Sequence, residues 1–593
     1  MKKTIYYIVL TLCCLSTVSC AGFLDKTPTD KLSSDLVYTD PVLAENAVRG
    51  VYNNLLWDFN STENVAYNWD AYAGVLDPVD YFRGSIAFLS GNVLSTNGVF
   101  TTFWKRWYEG INRANDVINN IGRVPGMSEA VKQQRIAECR FIRALYYYRL
   151  NCRWRGVPVY LENLAPDEYT RGRSEEDVVW QTIIDDCNYC IENENLPDKY
   201  GASDSNYGRV TKGAAYMLRG KVYLWQKKYE LAEADFIKIG ELGYGLYDGN
   251  YADLFLEANE KSREMIFSIQ FIPQKGFGNA LSYIYGNVET VSKGNDQFVV
   301  NTDFADSYQN RNGKPFSWDD VFPGYSKLTP QARSAYFLRD DLTDTEISSL
   351  KDYGADMSLY LPSGNEARLK AAYAQRDPRL AATVILPYST YVGGSTGAAL
   401  TYTSRHPYRR DTAPELDLQT RYTTRMYYWM RKFVARGTEC QASEYTGIDM
   451  PVFRYADVLL CLAEALNEQG RTPEAIGYVN KVRDRAGVAE LDSNTWTAVE
   501  GQDDLRQRII DEKHWEFAGE SGTLYEDELR WGVWHQRRFL GSAPGEQSEA
   551  GLKQVWGENV APYIYAGDYC YRWAVPQSER ERNGNLSQNA DWN

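Results

Sequence analysis

Residues 210–241 read VTKGAAYMLRGKVYLWQKKYELAEADFIKIGE, and this stretch decides the fold. It divides into two segments with helical apolar spacing, 210–227 and 229–241. Gly220, Tyr223, Ala232 and Phe236 fall at the offsets of the tetratricopeptide repeat. Small residues at Gly220 and Ala232 let two antiparallel helices approach closely, while Tyr223 and Phe236 fill the wedge between them. Ala463, Leu466, Ala475 and Val479 reproduce that spacing in a second pair, over 453–468 and 473–486. Two matches so far apart predict a mainly α protein built on irregular tetratricopeptide-like helix pairs rather than a regular solenoid. Such a scaffold is by default an interaction surface.

Working outward, helical periodicity recurs at 104–121, 129–151 and 177–193. The first helix is announced by Asp40 as N-cap and Pro41 at the first helical position, where a missing N–H costs nothing. Leu43, Ala47, Val51 and Leu55 then predict its apolar stripe. Between the two pairs, over 243–450, the texture changes. Gly, Asn, Ser and Asp rise, and short runs such as Met265-Ile266-Phe267-Ser268-Ile269 predict a few short strands. Gly393-Gly394-Ser395-Thr396-Gly397 is loop material. Long loops on a rigid scaffold are where binding usually resides.

The N-terminus carries a different message. Met1-Lys2-Lys3, an apolar run from Ile5 to Val18, and Ser19 form the layout of a secretory signal, so residues 1–19 are expected to be removed. The apolar run is shorter than the ~20 residues that cross a bilayer as a helix. Cys20 directly after Thr17-Val18-Ser19 suits lipoprotein processing, although Thr17 stands where that pattern favours Leu. Cys20 is therefore the expected lipid-bearing terminus, and two or more acyl chains would anchor it stably. Residues 20–242 form an N-terminal helical half, and 243–593 a loop-rich half with late scaffold helices, packed together as one globule.

Loss of Lys2 and Lys3 would take the formal charge from −15 to −17. An acidic chain argues against nucleic acid, which needs clustered Lys and Arg. Aromatic residues make up 14% of the chain, with 45 Tyr and 16 Trp. That richness fits a large core with hydroxyls at its rim, and equally a surface that stacks flat, hydroxylated sugars. The scattered cysteines of the mature chain do not suggest a disulfide framework. Cys187 and Cys190 form a CxxC without a second one, inside a helical pattern, and are better read as core or rim thiols. Only His406, His514 and His535 are present, which nearly removes histidine triads and histidine-rich metal sites. There is no phosphate loop or dinucleotide fingerprint. Paired carboxylates such as Asp319-Asp320 and Asp340-Asp341 sit in no recognisable glycosidase setting. No cofactor, metal or catalytic residue is expected.

Short motifs in fixed order then carry a resemblance. Cys20 with Phe23-Leu24-Asp25 and Pro28-Thr29-Asp30 is followed by Trp107, Ile111, Asn112, Ala114 and Asn115. Ala137 to Ala144, Gly156-Val157-Pro158 and Arg376-Asp377-Pro378-Arg379-Leu380 come next. The stretch from Pro451 to Asn467, Arg485-Ala486-Gly487, Glu512 to Phe517, and Asn585-Leu586-Ser587-Gln588-Asn589 with Trp592 complete the order. The chain resembles the SusD/RagB family of outer-membrane nutrient-binding lipoproteins. The resemblance implies an all-helical core, an outward-facing lipid-anchored location on the outer membrane, and a SusC-like TonB-dependent transporter as partner, over which the protein acts as a lid. It implies a glycan ligand, or in some relatives a peptide.

It also implies that ligand contacts lie in the loop after the first helix and in the middle region. The first offers Trp69, Tyr72, Asp77, Tyr81 and Arg83; the second offers Tyr283, Tyr285, Asn287 and Trp318. Rings would stack on sugar faces, and Asp77 and Arg83 would bond hydroxyls. Core packing or the transporter interface remains open for each aromatic. Trp104, Trp107, Trp225, Trp515 and Trp531 are expected in the core. A surface glycosidase and a protein-binding helical adaptor are the competing readings.

Overall fold

The fold begins where Asp40 stops the chain from fraying. In a computed structural model describing residues 34–57, 59, 68–79, 86–287, 294–393, 398–402, 425–437, 444–520 and 522–592, its carboxylate accepts from the amides of Val42 (2.8 Å) and Leu43 (3.0 Å). Helix α1 (Pro41–Leu56) follows. Its buried stripe is Ala44, Val48, Val51 and Leu55. Leu43 and Ala47, expected in that stripe, sit at its half-buried edge.

Six further helices stack in series: α2 (Gly98–Asn120), α3 (Glu129–Trp154), α4 (Glu176–Glu192), α5 (Lys212–Trp225), α6 (Tyr229–Glu241) and, far along the chain, α7 (Tyr455–Glu468). Helix α8 (Thr472–Ala486) pairs with α7, and α9 (Gln502–Phe517) and α10 (Thr523–Trp531) close the array. The α5–α6 contact works as the spacing predicts. A Cβ at Gly220 would lie 2.6 Å from the Phe236 ring, so only glycine permits this approach. Ala232, Ala463, Ala475 and Val479 are fully buried.

The two predicted repeat pairs are not isolated modules. Helix α6 packs on α7, Arg471 bonds Glu233 across them at 2.8 Å, and Lys221 of α5 meets Asp457 of α7 at 3.0 Å. The pairs are thus neighbours in space, with the 243–450 segment looped out between them. Helix α8 ends at Gly487, whose φ of 73° supplies the left-handed cap.

Strands are short and form five antiparallel pairs among the described residues. β1 (Leu76–Pro78) pairs with β3 (Phe298–Val300), and β2 (Met265–Ile269) with β8 (Met450–Arg454). β4 (Val384–Ile385) pairs with β7 (Trp429–Met430), β5 (Thr390–Gly393) with β6 (Ala398–Thr401), and β9 (Gln547–Lys553) with β10 (Asn559–Ile564). Phe453 and Arg454, expected as the start of the 453–468 helix, are therefore strand, and the helix starts at Tyr455. A mate for Met265–Ile269 decides this, and pairing is invisible to local periodicity.

Buried charges hold the layers together. Arg143 bonds Asp186 through Nε (2.8 Å) and Nη2 (2.6 Å), tying α3 to α4. Cys187 and Cys190 are buried free thiols, as expected; burial raises both above the usual thiol range. Among the described residues no helix is long and apolar enough to cross a membrane.

Replacing Gly220 by Ala should cost about 1–3 kcal/mol through overpacking. Urea unfolding checks this, and Phe236→Leu in the same chain should recover part of the loss. An unchanged midpoint would mean the two helices are not in close contact.

Candidate ligand-binding site

Of the early and middle candidates, Asp77 and the Tyr283–Asn287 segment, more than two hundred residues apart, meet at one seam. Asp77 faces Val299 across β1–β3, and Val79 N donates to Gln297 O at 3.1 Å. Asn295 N bonds Tyr283 O (2.8 Å), and Gln297 N bonds Ile284 O (2.9 Å), folding the Tyr283 segment back on β3. Ala280 N donates to Phe59 O at 2.8 Å, which brings in the end of α1's loop. Tyr81 and Arg83 lie outside the described residues.

Within the seam the side chains play unequal parts. Asp77 is 1% exposed; it accepts from Arg538 Nη2 (3.0 Å) and Asn301 Nδ2 (2.9 Å). Burial raises its carboxyl pKa, and Arg538 pulls the other way. It is a structural clamp, so the expected role of bonding sugar hydroxyls does not fit. Tyr285 and Asn287 are also buried. Tyr283 alone of the described candidates keeps a half-buried ring. The sequence reading missed the neighbouring turn at 271–278, which exposes Ile272 and Phe277 beside this segment. A hydrophobic pair in a loop rich in Lys, Gln and Gly was the available signal.

Trp69, Tyr72 and Trp318 need correction, because all are core. Trp69 is 4% exposed, with its ring 4.6 Å from Phe103 and stacked on Tyr525 at 6.0 Å. The Arg153 guanidinium lies 4.1 Å from its centroid, a favourable cation–π placement. Tyr72 packs 5.3 Å from Tyr525. Both belong to the short helix Asn68–Tyr72, and their three-residue spacing was a sign of one buried helical face. Trp318 stacks on Phe322 at 5.8 Å and donates to Asp306 Oδ2 at 3.0 Å. Trp104 and Trp107 are buried as expected, whereas Trp225, Trp515 and Trp531 are half-buried.

Elsewhere, an open cleft of about 470 Å³ runs between α2, the 158–170 segment and the C-terminal tail. Tyr108, Tyr160 and Tyr169 line it together with Asn112 and Asn583. Hydrogen bonds fix its walls: Tyr108 OH to Pro158 O (2.7 Å), Asn115 Nδ2 to Tyr160 O (3.0 Å), and Asn583 Nδ2 to Arg171 O (2.9 Å). Its walls come from three distant segments, so no local pattern announced it.

A family model described as the SusD family matches residues 263–592. The chain belongs to the SusD family. A second model, described as starch-binding and associating with the outer membrane, matches residues 22–224. A SusD-like protein of Formosa agariphila is 26% identical over 556 residues, covering 90% of each chain. The starch-binding protein SusD of Bacteroides thetaiotaomicron is 25% identical over 480 residues, covering 79% of this chain and 75% of its own. Among solved structures, a SusD-like carbohydrate-binding protein of Bacteroides fragilis matches at TM-score 0.71 and 22% identity, covering 93% of this chain and 100% of its own. That likeness establishes the SusD-like helical fold.

Because Trp69 is a core ring, Trp69→Ala should lower unfolding stability by about 3–5 kcal/mol, read by urea denaturation. A variant of wild-type stability would return Trp69 to the surface.

Proposed function

We propose that this protein is a non-catalytic, surface-exposed glycan-binding lipoprotein that delivers oligosaccharide to a SusC-like TonB-dependent transporter in the outer membrane. Membership of the SusD family carries the reading, together with a starch-binding relative aligned over most of both chains. The second family model, described as associating with the outer membrane, supports the location. Lipid on Cys20 would supply the anchor and hold the protein beside the barrel. Held beside the transporter, a captured chain has a high effective concentration at the barrel mouth.

The proposed recognition surface is Tyr283 at the β1–β3 seam, together with Tyr81 and Arg83, which follow β1 in sequence. A tyrosine ring offers a flat apolar face with a polar tip, and an arginine fork donates to adjacent hydroxyls in pairs. The buried clamp of Asp77 on Arg538 and Asn301 fixes β1 at this seam.

The double variant Arg83→Ala/Tyr283→Ala tests the assignment in affinity gels. The gels would carry hexasaccharides or polymers of α-glucan, β-glucan, xylan and mannan. The expected outcome is at least one retaining glycan for the wild type, at least tenfold weaker retention by the variant, and unchanged unfolding stability. Reducing ends should not increase on prolonged incubation. Undiminished retention by the variant sinks the site, and new reducing ends sink the non-catalytic reading.

A further inference from the structure

The cleft between α2, the 158–170 segment and the C-terminal tail shares no lining residue with the β1–β3 seam. We propose that it is a second saccharide-binding site, taking a short neutral oligosaccharide. This rests on the glycan reading for its class of ligand, but the location follows from the cleft's own construction.

Three observations carry it. The first is preorganisation. The cleft walls are pinned by hydrogen bonds within the protein, including Tyr169 OH to Asn112 Oδ1 at 2.9 Å and Asn585 Nδ2 to Thr170 O at 2.8 Å. A ligand entering it would order little new structure, so its contacts are not spent on loop ordering. The cleft is about 470 Å³, within the range of small-molecule sites.

The second observation is the set of polar groups left over. Asn112 Oδ1 is occupied by Tyr169 and Asn163 (3.0 Å), yet among the described residues its Nδ2 donates to no protein atom. The side chains of Lys105, Asp167 and Thr170 line the same cleft and are exposed, with no hydrogen bond or ion pair among the described residues. The unspent groups are therefore an amide donor, an ammonium donor, a carboxylate acceptor and a hydroxyl that does both. A ligand presenting both donors and acceptors, as neighbouring sugar hydroxyls do, can take up that set.

The third is charge and shape. Lys105 and Asp167 both line the cleft, and Arg582 is paired with Glu579 at 3.0 Å, so two bases and two carboxylates leave its lining with no excess of either sign. A phosphorylated or polyuronate ligand would meet both carboxylates, and a cationic one both bases. Tyr108 of α2 and Tyr169 of the 158–170 segment, both half-buried, provide ring surface for the apolar face of a pyranose. Two sites on one lipid-held protein would raise the avidity for a polymer well above either affinity.

The test is isothermal titration with maltohexaose, laminarihexaose, cellohexaose, xylohexaose and mannohexaose. The full chain carrying Arg83→Ala/Tyr283→Ala is compared with the same chain also carrying Lys105→Ala/Asp167→Ala/Thr170→Ala. These three exposed side chains hold no part of the fold together. The first protein should bind at least one hexasaccharide at one site, and the second should bind it at least tenfold more weakly. Thr170→Arg, which fills the cleft, should do the same. Equal binding by the two proteins overturns the cleft assignment. So does binding by wild type that the Arg83/Tyr283 change abolishes, and that result leaves the glycan reading standing. No binding by wild type to any of the five overturns both.

Discussion

Glu516 is the point on which the molecule turns. Its carboxylate, fully buried, meets Arg454 at 2.6 Å, Arg379 at 3.0 Å and also Arg485. Its backbone carbonyl accepts from Arg454 Nη2 (2.9 Å) and Tyr251 OH (2.6 Å). These partners come from β8, the helix Pro378–Thr383, α8 and the looped-out middle segment. Around them, Arg454 also bonds Glu264 at 2.7 Å and Glu520 at 2.6 Å, and Lys432 bonds Glu520. Burial alone would raise the Glu516 carboxyl, but Arg485, Arg454 and Arg379 outweigh it and hold it far below the usual range. A buried carboxylate with three guanidiniums is a costly arrangement to break, because removing one side leaves charge stranded in the interior.

This node explains why the motifs that reveal the family say little about the ligand. Arg379 lies in the Arg376–Leu380 motif, Arg454 and Arg485 in the late helical motifs, and Glu516 in the Glu512–Phe517 motif. All are spent on one another. The C-terminal tail behaves alike: Gln588 brackets the Val575 backbone, accepting its N–H at 2.7 Å and donating to its carbonyl at 2.9 Å. The node also shapes the acid response. A carboxyl with a depressed folded pKa contributes stability above its unfolded value, and that contribution is lost as pH falls through the folded value. Asp70 pulls oppositely. Burial pushes it up to about 7, so the folded state holds a proton the unfolded chain has released, and its contribution declines as pH rises from about 4 to 7.

Helices were legible wherever one face is apolar. Asp40 and Pro41 located the start of α1, and Gly220 with Phe236 located the α5–α6 contact, because both depend on neighbours close in sequence. What was not legible depends on distant partners. Trp69 and Tyr72 have the composition of a sugar platform, and only the arrival of Phe103, Tyr525 and Trp573 turns them into core. Asp77 looked like a ligand contact until Arg538 came to meet it. Met450–Arg454 became a strand through its pairing with Met265–Ile269. The cleft beside Tyr108 and Tyr169 has walls from three segments and no motif in any of them.

A centre of ion pairs and stacked helices holds the fold, and recognition is proposed for the seam and the cleft outside it. The most direct test of that centre is the unfolding free energy of Glu516→Gln at pH 7. Loss of the charge facing three arginines should cost about 3–5 kcal/mol relative to wild type. A difference within about 0.5 kcal/mol, the size of an ordinary surface change, would contradict the account.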